Sequence, residues 1–277
     1  MKKLFYNLIL GDCSTMKELE SDSIHLIVTS PPYYNVKEYS KGLEGDIGNL
    51  DNYKEYLDVM RKVFKECFRV IQYGRIIAVN VSDVVSDDIK YPIQADYHNI
   101  LRDVGFRYKE NIIWQKPKGI LSAKRFGVTK QNPYPMYYKP NNIYENILIY
   151  MKGKYLQQKR IPKDYEKDEF SKEFMEGIET DVWYFPTASA VDEGHAAPFP
   201  ITLPDYIIKL YSFTGENVLD PFLGTGTTML AAKESSRSCV GYEINEDYVD
   251  LIKRKVGWKQ QSLSGEVEYS VLKRCLM

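Results

Sequence analysis

The sequence predicts an α/β fold, a mostly parallel sheet of seven strands with helices on both faces. Three observations predict it. Short apolar runs of strand length alternate with stretches whose apolar residues recur at helical spacing, the pattern of strand–helix–strand units that build parallel sheets. Prolines and glycines follow directly on two of those runs, where the chain must leave the sheet. The 277 residues, 44% hydrophobic and 27% charged, are enough to enclose a core in one large domain or two modest ones.

Taken in order, the strand candidates are 5–10, 24–29, 75–81, 110–114, 146–151, 217–220 and 239–242. The helix candidates between them are 16–20, 50–71, 96–104, 203–212, 227–234 and 246–256. The clearest is 50–71, where Tyr53, Tyr56, Leu57, Met60, Val63, Phe64, Cys67 and Phe68 form one apolar stripe. Residues 152–194 break the rhythm, being polar and charged, and read as an inserted lobe. The body is then 1–151 together with 195–277.

No apolar run approaches the roughly 20 residues of a membrane span, and Asp12 closely follows the short apolar N-terminal run, so a cytoplasmic protein is expected. The four cysteines are scattered without a Cys-x-x-Cys pair, and His25, His98 and His195 show no ligand spacing, which argues against a metal centre or a disulfide framework. The net charge of −1 conceals an asymmetry. From 107 to 163 there are 13 Lys/Arg against Glu110 and Glu145, a local charge of +11, interleaved with aromatics and amides as in "KQNPYPMYYKPNNIY". That mixture suits phosphate and base contacts in a nucleic acid. Directly after it, 164–181 carries eight acids against two lysines and reads as a solvated helix or linker.

In parallel sheets ligands bind at the carboxyl ends of strands, so the residues following strands carry the functional reading. After 24–29 comes "SPPYY": Pro31 and Pro32 cannot donate to a ladder and must end the strand in a stiff extended turn. The turn holds Ser30 Oγ, the Pro31 carbonyl and the Tyr33 ring in fixed directions. After 217–220 comes "PFLGTGTT", a strand–Gly-x-Gly–helix unit with Gly224 and Gly226 ahead of a helix whose first N–H groups are free. The next strand ends at Glu243, 17 residues beyond Gly226, where a carboxylate can accept both hydroxyls of a ribose. Several nucleoside cofactors fit that arrangement. Met229 stands where a dinucleotide fingerprint has its third glycine, and no Gly-Lys-[Ser/Thr] exists, so a pyrophosphate is disfavoured. A ribose and adenine without phosphate, as in S-adenosylmethionine, fits better. A nicotinamide oxidoreductase would share Glu243 and the glycine turn but give Ser30–Tyr33 and the basic stretch no role; a DNA-binding protein without catalysis would need only the basic stretch.

Together, "TSPPYY" at 29–34 and "DPFLGTGTT" at 220–228 resemble the catalytic and cofactor motifs of the S-adenosylmethionine-dependent DNA amino-methyltransferases, in the circularly permuted β order with the catalytic motif first. "LGDC" at 10–13, "NIIWQKP" at 111–117, "ENILIYMKG" at 145–153 and the segment 195–222 also resemble parts of that family, and 156–180 stay unmatched. The resemblance implies a Rossmann-like methyltransferase sheet with a target-recognition lobe at 152–194 and the 115–144 loop also near DNA. Catalysis would fall to Ser30, Pro31, Pro32 and Tyr33. Cofactor contacts would come from Asp12, Cys13, Ser30, Pro198, Phe199, Pro200, Asp220, Pro221, Phe222, Gly224, Gly226, Thr227, Thr228 and Glu243. Cys13 is read as packing beside Asp12, and His195 as shaping the loop over the methionine tail. Double-stranded DNA would be the macromolecular partner, touched by Tyr34, Lys116, Lys118, Lys124, Arg125, Lys130 and Lys139, with a cognate restriction endonuclease acting at the same site. Serine ahead of Pro-Pro-Tyr is typical of family members that methylate the N4 amine of cytosine; the aspartate form is typical of those acting on adenine N6, which stays the alternative. No Pro-Cys dipeptide of the cytosine-C5 type occurs.

Overall fold

The computed structural model describes residues 3–35, 45–50, 52–86, 89–117, 134–136, 142–154, 168–187, 199–258 and 267–274. The strands are β1 (Leu4–Leu10), β2 (Ile24–Thr29), β3 (Ile71–Val81), β4 (Val84–Ser86), β5 (Ile89–Tyr91), β6 (Phe106–Gln115), β7 (Tyr144–Lys152), β8 (Val182–Tyr184), β9 (Asn217–Asp220), β10 (Ser238–Glu243) and β11 (Val267–Lys273). The helices are α1 (Tyr53–Val70), α2 (Ile93–Val104), α3 (Lys172–Gly177), α4 (Thr202–Tyr211), α5 (Thr227–Glu234) and α6 (Val249–Val256). Among the described residues no helix is long and apolar enough to cross a membrane.

One sheet runs β11-β1-β10-β9-β2-β3-β7-β6-β8, and β4–β5 form a separate hairpin. Within the large sheet only β7 runs antiparallel to its neighbours. The mostly parallel α/β expectation therefore holds, but with nine strands in place of seven. The two additions are at the edges. β8 pairs in parallel with β6, so 182–184 from the inserted interval joins the sheet, with Trp183 buried. β11 lies along β1, and its alternation V-E-Y-S was a readable strand signal.

Each face of the sheet closes its own core. α1 and α2 cover one side, with Tyr56, Met60, Val63, Phe64, Ile93 and Tyr97 against Ile27, Ile77 and Leu148. α4, α5 and α6 cover the other, with Leu203, Ile207, Met229, Ala232 and Ile252 against Leu8, Val28, Ala78 and Val218. Strands buried on both faces need near-continuous apolar sequence, which is why β2 and β9 read so plainly. The sequence of α1 dictates its placement: its buried residues recur at helical spacing, the Asn52 side chain accepts from Lys54 N at 2.8 Å, and the chain turns straight into β3 at Ile71. Residues 16–20, expected as a helix, form turns. Five residues cannot offset the cost of helix nucleation, and the Met16 N–H donates to Glu66 while its carbonyl accepts from Arg69.

The topology brings the ends of β2, β3, β9, β10 and β1 to one edge of the sheet, with the start of antiparallel β7 beside them. Both motifs of interest lie on that edge.

Candidate functional site

The cofactor-type turn is built around a buried acid. Asp220 ends β9 with no exposed surface, and its carboxylate accepts from Thr29 Oγ1 at 2.8 Å, Thr228 Oγ1 at 2.6 Å and Phe222 N at 3.0 Å. Burial pushes its pKa up to about 6, against the pull of those three donors. The bond from Thr29 matters most for architecture. It ties the residue preceding Ser30 to the neighbouring strand, so the two motifs share one hydrogen bond. Gly224 (φ +55°) and Gly226 (φ +88°) take left-handed conformations that let the chain reverse into α5.

Glu243 ends β10 and is 9% exposed. Its carboxylate accepts from Gly224 N and Asn245 N, both at 2.8 Å. Burial raises its pKa to about 7, opposed by those backbone donors. Asp12, beyond the end of β1, accepts from Ser14 N at 2.8 Å and from the Ser14 hydroxyl, while its carbonyl accepts from Arg274 Nη1 at 2.6 Å. The Cys13 thiol is buried, and desolvation lifts its pKa well above that of a free thiol, so it stays protonated packing.

On the other side of Thr29 the chain leaves β2 through Ser30, Pro31, Pro32 and Tyr33. Tyr56 from α1 donates its hydroxyl to the Pro32 carbonyl at 3.1 Å and contacts the Tyr97 hydroxyl at 2.5 Å. Tyr34, expected at the DNA, is instead 4% exposed. Its ring packs 5.1 Å from Tyr53, 5.5 Å from Tyr56 and 5.0 Å from Tyr91, so the aromatics supplied by α1 and β5 enclose it and it anchors the turn from beneath.

These parts line one cleft of about 920 Å³, counting its solvent-filled mouth. Of the expected residues, Asp12, Cys13, Ser30, Pro31, Pro32, Tyr33, Phe199, Pro221, Phe222, Gly224, Thr227 and Glu243 border it. Asp220 and Thr228 do not: both are fully buried and bonded to each other, holding the turn from below. Gly226 and Pro200 are also absent from its lining. Pro198, Lys118, Lys124, Arg125, Lys130, Lys139 and His195 lie outside the described residues. Lys116, expected at DNA, is ion-paired with Glu145 and sits 5.2 Å from the centre of the Trp114 ring. The sequence reading missed Asp46, Ile47, Ile244, Asn245 and Tyr248 as lining residues, and Asn80 and Glu145 near Ser30. Ile244, Asn245 and Tyr248 were in reach, since they continue the run that ends β10; the others depend on contacts distant in sequence. Among the described residues no cluster of His, Cys, Asp or Glu could hold a metal.

Comparison with known proteins agrees on the class of this fold. A family model described as DNA methylase matches residues 24–254. The type II methyltransferase M.MjaI of Methanocaldococcus jannaschii is 29% identical over 97% of both chains, and the type II methyltransferase M.HpaI of Haemophilus parainfluenzae is 30% identical over 87% of this chain and 70% of its own. Among solved structures, a candidate DNA modification methylase of Thermus thermophilus, complexed with S-adenosyl-L-methionine, superposes with a TM-score of 0.73 and 28% identity, covering 96% of this chain and 99% of its own. The PvuII cytosine-N4-specific DNA methyltransferase shares the fold, with a TM-score of 0.64 and 19% identity over 97% of this chain and 98% of its own.

Proposed function

The chain belongs to the N4/N6 DNA methylase family, and from that premise we propose that it methylates the exocyclic N4 amine of a cytosine flipped out of double-stranded DNA, as the modification half of a restriction–modification pair. One observation carries the reading: the Ser30–Tyr33 turn and the Gly224–Glu243 pair open into the same cleft, joined through Thr29 and Asp220.

The cleft's cofactor end fits S-adenosylmethionine in its chemistry. Glu243 offers carboxylate lone pairs at the cleft wall beyond those used by Gly224 N and Asn245 N, and two vicinal ribose hydroxyls are the donors that would use them. Asp12, Phe222 and Phe199 line the same cleft; the family resemblance would put Asp12 at the adenine amine and the Phe199 segment at the methionine tail. When bound, the cofactor supplies an electrophilic sulfonium methyl.

The protein's own work is at the amine. A base amine is a poor nucleophile because its lone pair is delocalised into the ring. Ser30 Oγ and the Pro31 carbonyl accept its hydrogens and favour a pyramidal nitrogen with the lone pair turned toward the methyl. The prolines stiffen the turn that carries those acceptors, and Tyr56 holds its far side through the carbonyl of Pro32, which supports acceptors positioned ahead of the base's arrival. The ring of Tyr33 borders the same space, where a flipped base would stack on it for about 1–3 kcal/mol. In-line displacement then needs no covalent enzyme intermediate, and the protonated Cys13 is consistent with having no nucleophilic part.

Incubation with radiolabelled S-adenosylmethionine and genomic DNA, followed by digestion to nucleosides, tests this. Label in N4-methylcytosine is expected. Label in N6-methyladenine would overturn the choice of base and leave the family reading intact.

A further inference from the structure

We propose that Lys116, Glu145 and Asn80 form a positioning chain for Ser30, and that Lys116 serves this chain in place of a DNA phosphate. The inference rests on the amine-methylation reading above. Four consecutive strands each deliver one polar side chain to the same place. β2 runs into Ser30, β3 carries Asn80, β7 begins with Glu145 next to Tyr144, and β6 runs into Lys116. The alternation of side chains puts all four on the sheet face covered by α4: Leu26 and Val28 precede Ser30 on that face, Ile76 and Ala78 precede Asn80, Ile147 and Ile149 follow Glu145, and Ile112 and Trp114 precede Lys116.

The contacts run continuously. Lys116 Nζ donates to Glu145 Oε1, Asn80 Nδ2 donates to Glu145 Oε2 at 2.5 Å, and the same Nδ2 lies 3.5 Å from Ser30 Oγ, at the long limit of a hydrogen bond. Catalytic hydrogen bonds commonly tighten only when substrate arrives. Glu145 is 9% and Asn80 2% exposed, so a carboxylate is held in a largely dry position and needs Lys116 to compensate it. Because Glu145 can only accept, it forces the Asn80 amide to turn its NH₂ toward Glu145 and Ser30. The Asn80 carbonyl oxygen is left buried and without a partner among the described residues. The orientation that serves Glu145 thus leaves one acceptor unsatisfied and keeps the second N–H of the amide on the side of Ser30.

The consequence is specific. An N–H from Asn80 occupying one lone pair of Ser30 Oγ fixes where the other points, and that lone pair is the one available to the target amine. Lys116, with its charge engaged by Glu145, contributes little to the attraction of the basic stretch for phosphate.

The test uses the full chain with Asn80→Ala, Glu145→Gln, Lys116→Met and Lys116→Arg. Single-turnover methyl transfer at saturating DNA and S-adenosylmethionine should fall between about tenfold and a hundredfold in the first three, the scale of a small misplacement of a reacting group. Dissociation constants for cofactor and DNA should change little; Lys116→Met should also lower the melting temperature, because it leaves the buried Glu145 carboxylate unpaired, and its rate is read well below that temperature. Lys116→Arg should retain most of the rate, because it restores the cation. The slope of log DNA affinity against log salt should be unchanged in Lys116→Met; a decrease of about 0.9 would return this lysine to a phosphate and overturn its assignment. An unaltered rate in Glu145→Gln, or a loss of cofactor affinity matching the loss of rate, would overturn the chain as a whole. If Glu145→Gln does not fold, the double variant Lys116→Met/Glu145→Gln removes both charges together and is read by the same measurements. Failure of the wild type to label any DNA base would count against the function itself, independently of these variants.

Discussion

The two ends of the cleft are built by different means. At the cofactor end much of the fixing is local: Asp220 bonds to Phe222 N and Thr228 within eight residues, and Glu243 bonds to Asn245 N two residues on, with the Thr29–Asp220 bond as the long-range tie to the base end. At the base end the fixing groups come from far away in sequence. Tyr56 reaches the carbonyl of Pro32 across 24 residues, Asn80 reaches Ser30 across 50 and Glu145 reaches Asn80 across 65. The cofactor end is thus a motif that carries most of its own scaffold, and the base end is a short stiff turn whose scaffold is assembled by the sheet. Damage at the first should appear as lost affinity, and at the second as lost rate.

The sharpest way to break that contrast is Ser30→Ala. It removes the amine acceptor while leaving the Asp220 turn untouched, so turnover should fall by about 10²–10³, as for removal of one preorganised hydrogen-bonding group, with the cofactor dissociation constant nearly unchanged by calorimetry. A comparable loss of cofactor affinity would show that the two ends are not separable.

Glu243→Ala is the mirror experiment. Loss of a charged hydrogen-bond acceptor should cost about 1.5–3 kcal/mol of cofactor binding, with DNA affinity measured in the absence of cofactor barely altered. Normal binding of S-adenosylmethionine by this variant would place the ribose elsewhere.

A smaller effect is expected from pH. With the Glu243 pKa raised to about 7 by burial, the free carboxyl is protonated below that pH and must lose its proton to accept two hydroxyls. Cofactor affinity should therefore be flat above pH 7 and fall by up to about tenfold for each unit below it. The Glu243→Gln variant should abolish that dependence. Persistence of the same pH profile would assign the titration to another group.

The smallest effects concern Lys124, Arg125 and Lys130, which lie outside the described residues. Replacing all three with alanine should reduce the salt slope of DNA binding by about 0.9 for each one that touches phosphate, leaving cofactor affinity alone. An unchanged slope would make the +11 stretch a solvated face.

The sequence by itself determined the α/β class, the central strands and the cleft's two motifs. Those features are local: β9 and α5 occupy 217–220 and 227–234 as the apolar runs and the glycine turn require, and two prolines end β2 wherever it sits. The tertiary structure alone decided the rest. β8 is three residues long and becomes a strand because β6 offers an edge. Residues 16–20 form turns because Glu66 and Arg69 of α1 hold Met16. Tyr34 belongs to the core and Lys116 to Glu145 because strand register and the placement of α1 chose their neighbours, and neither choice is encoded in the residues adjacent to them. A charge or an aromatic ring announces what it can bind; which partner it meets is settled by contacts that exist only once distant strands have paired.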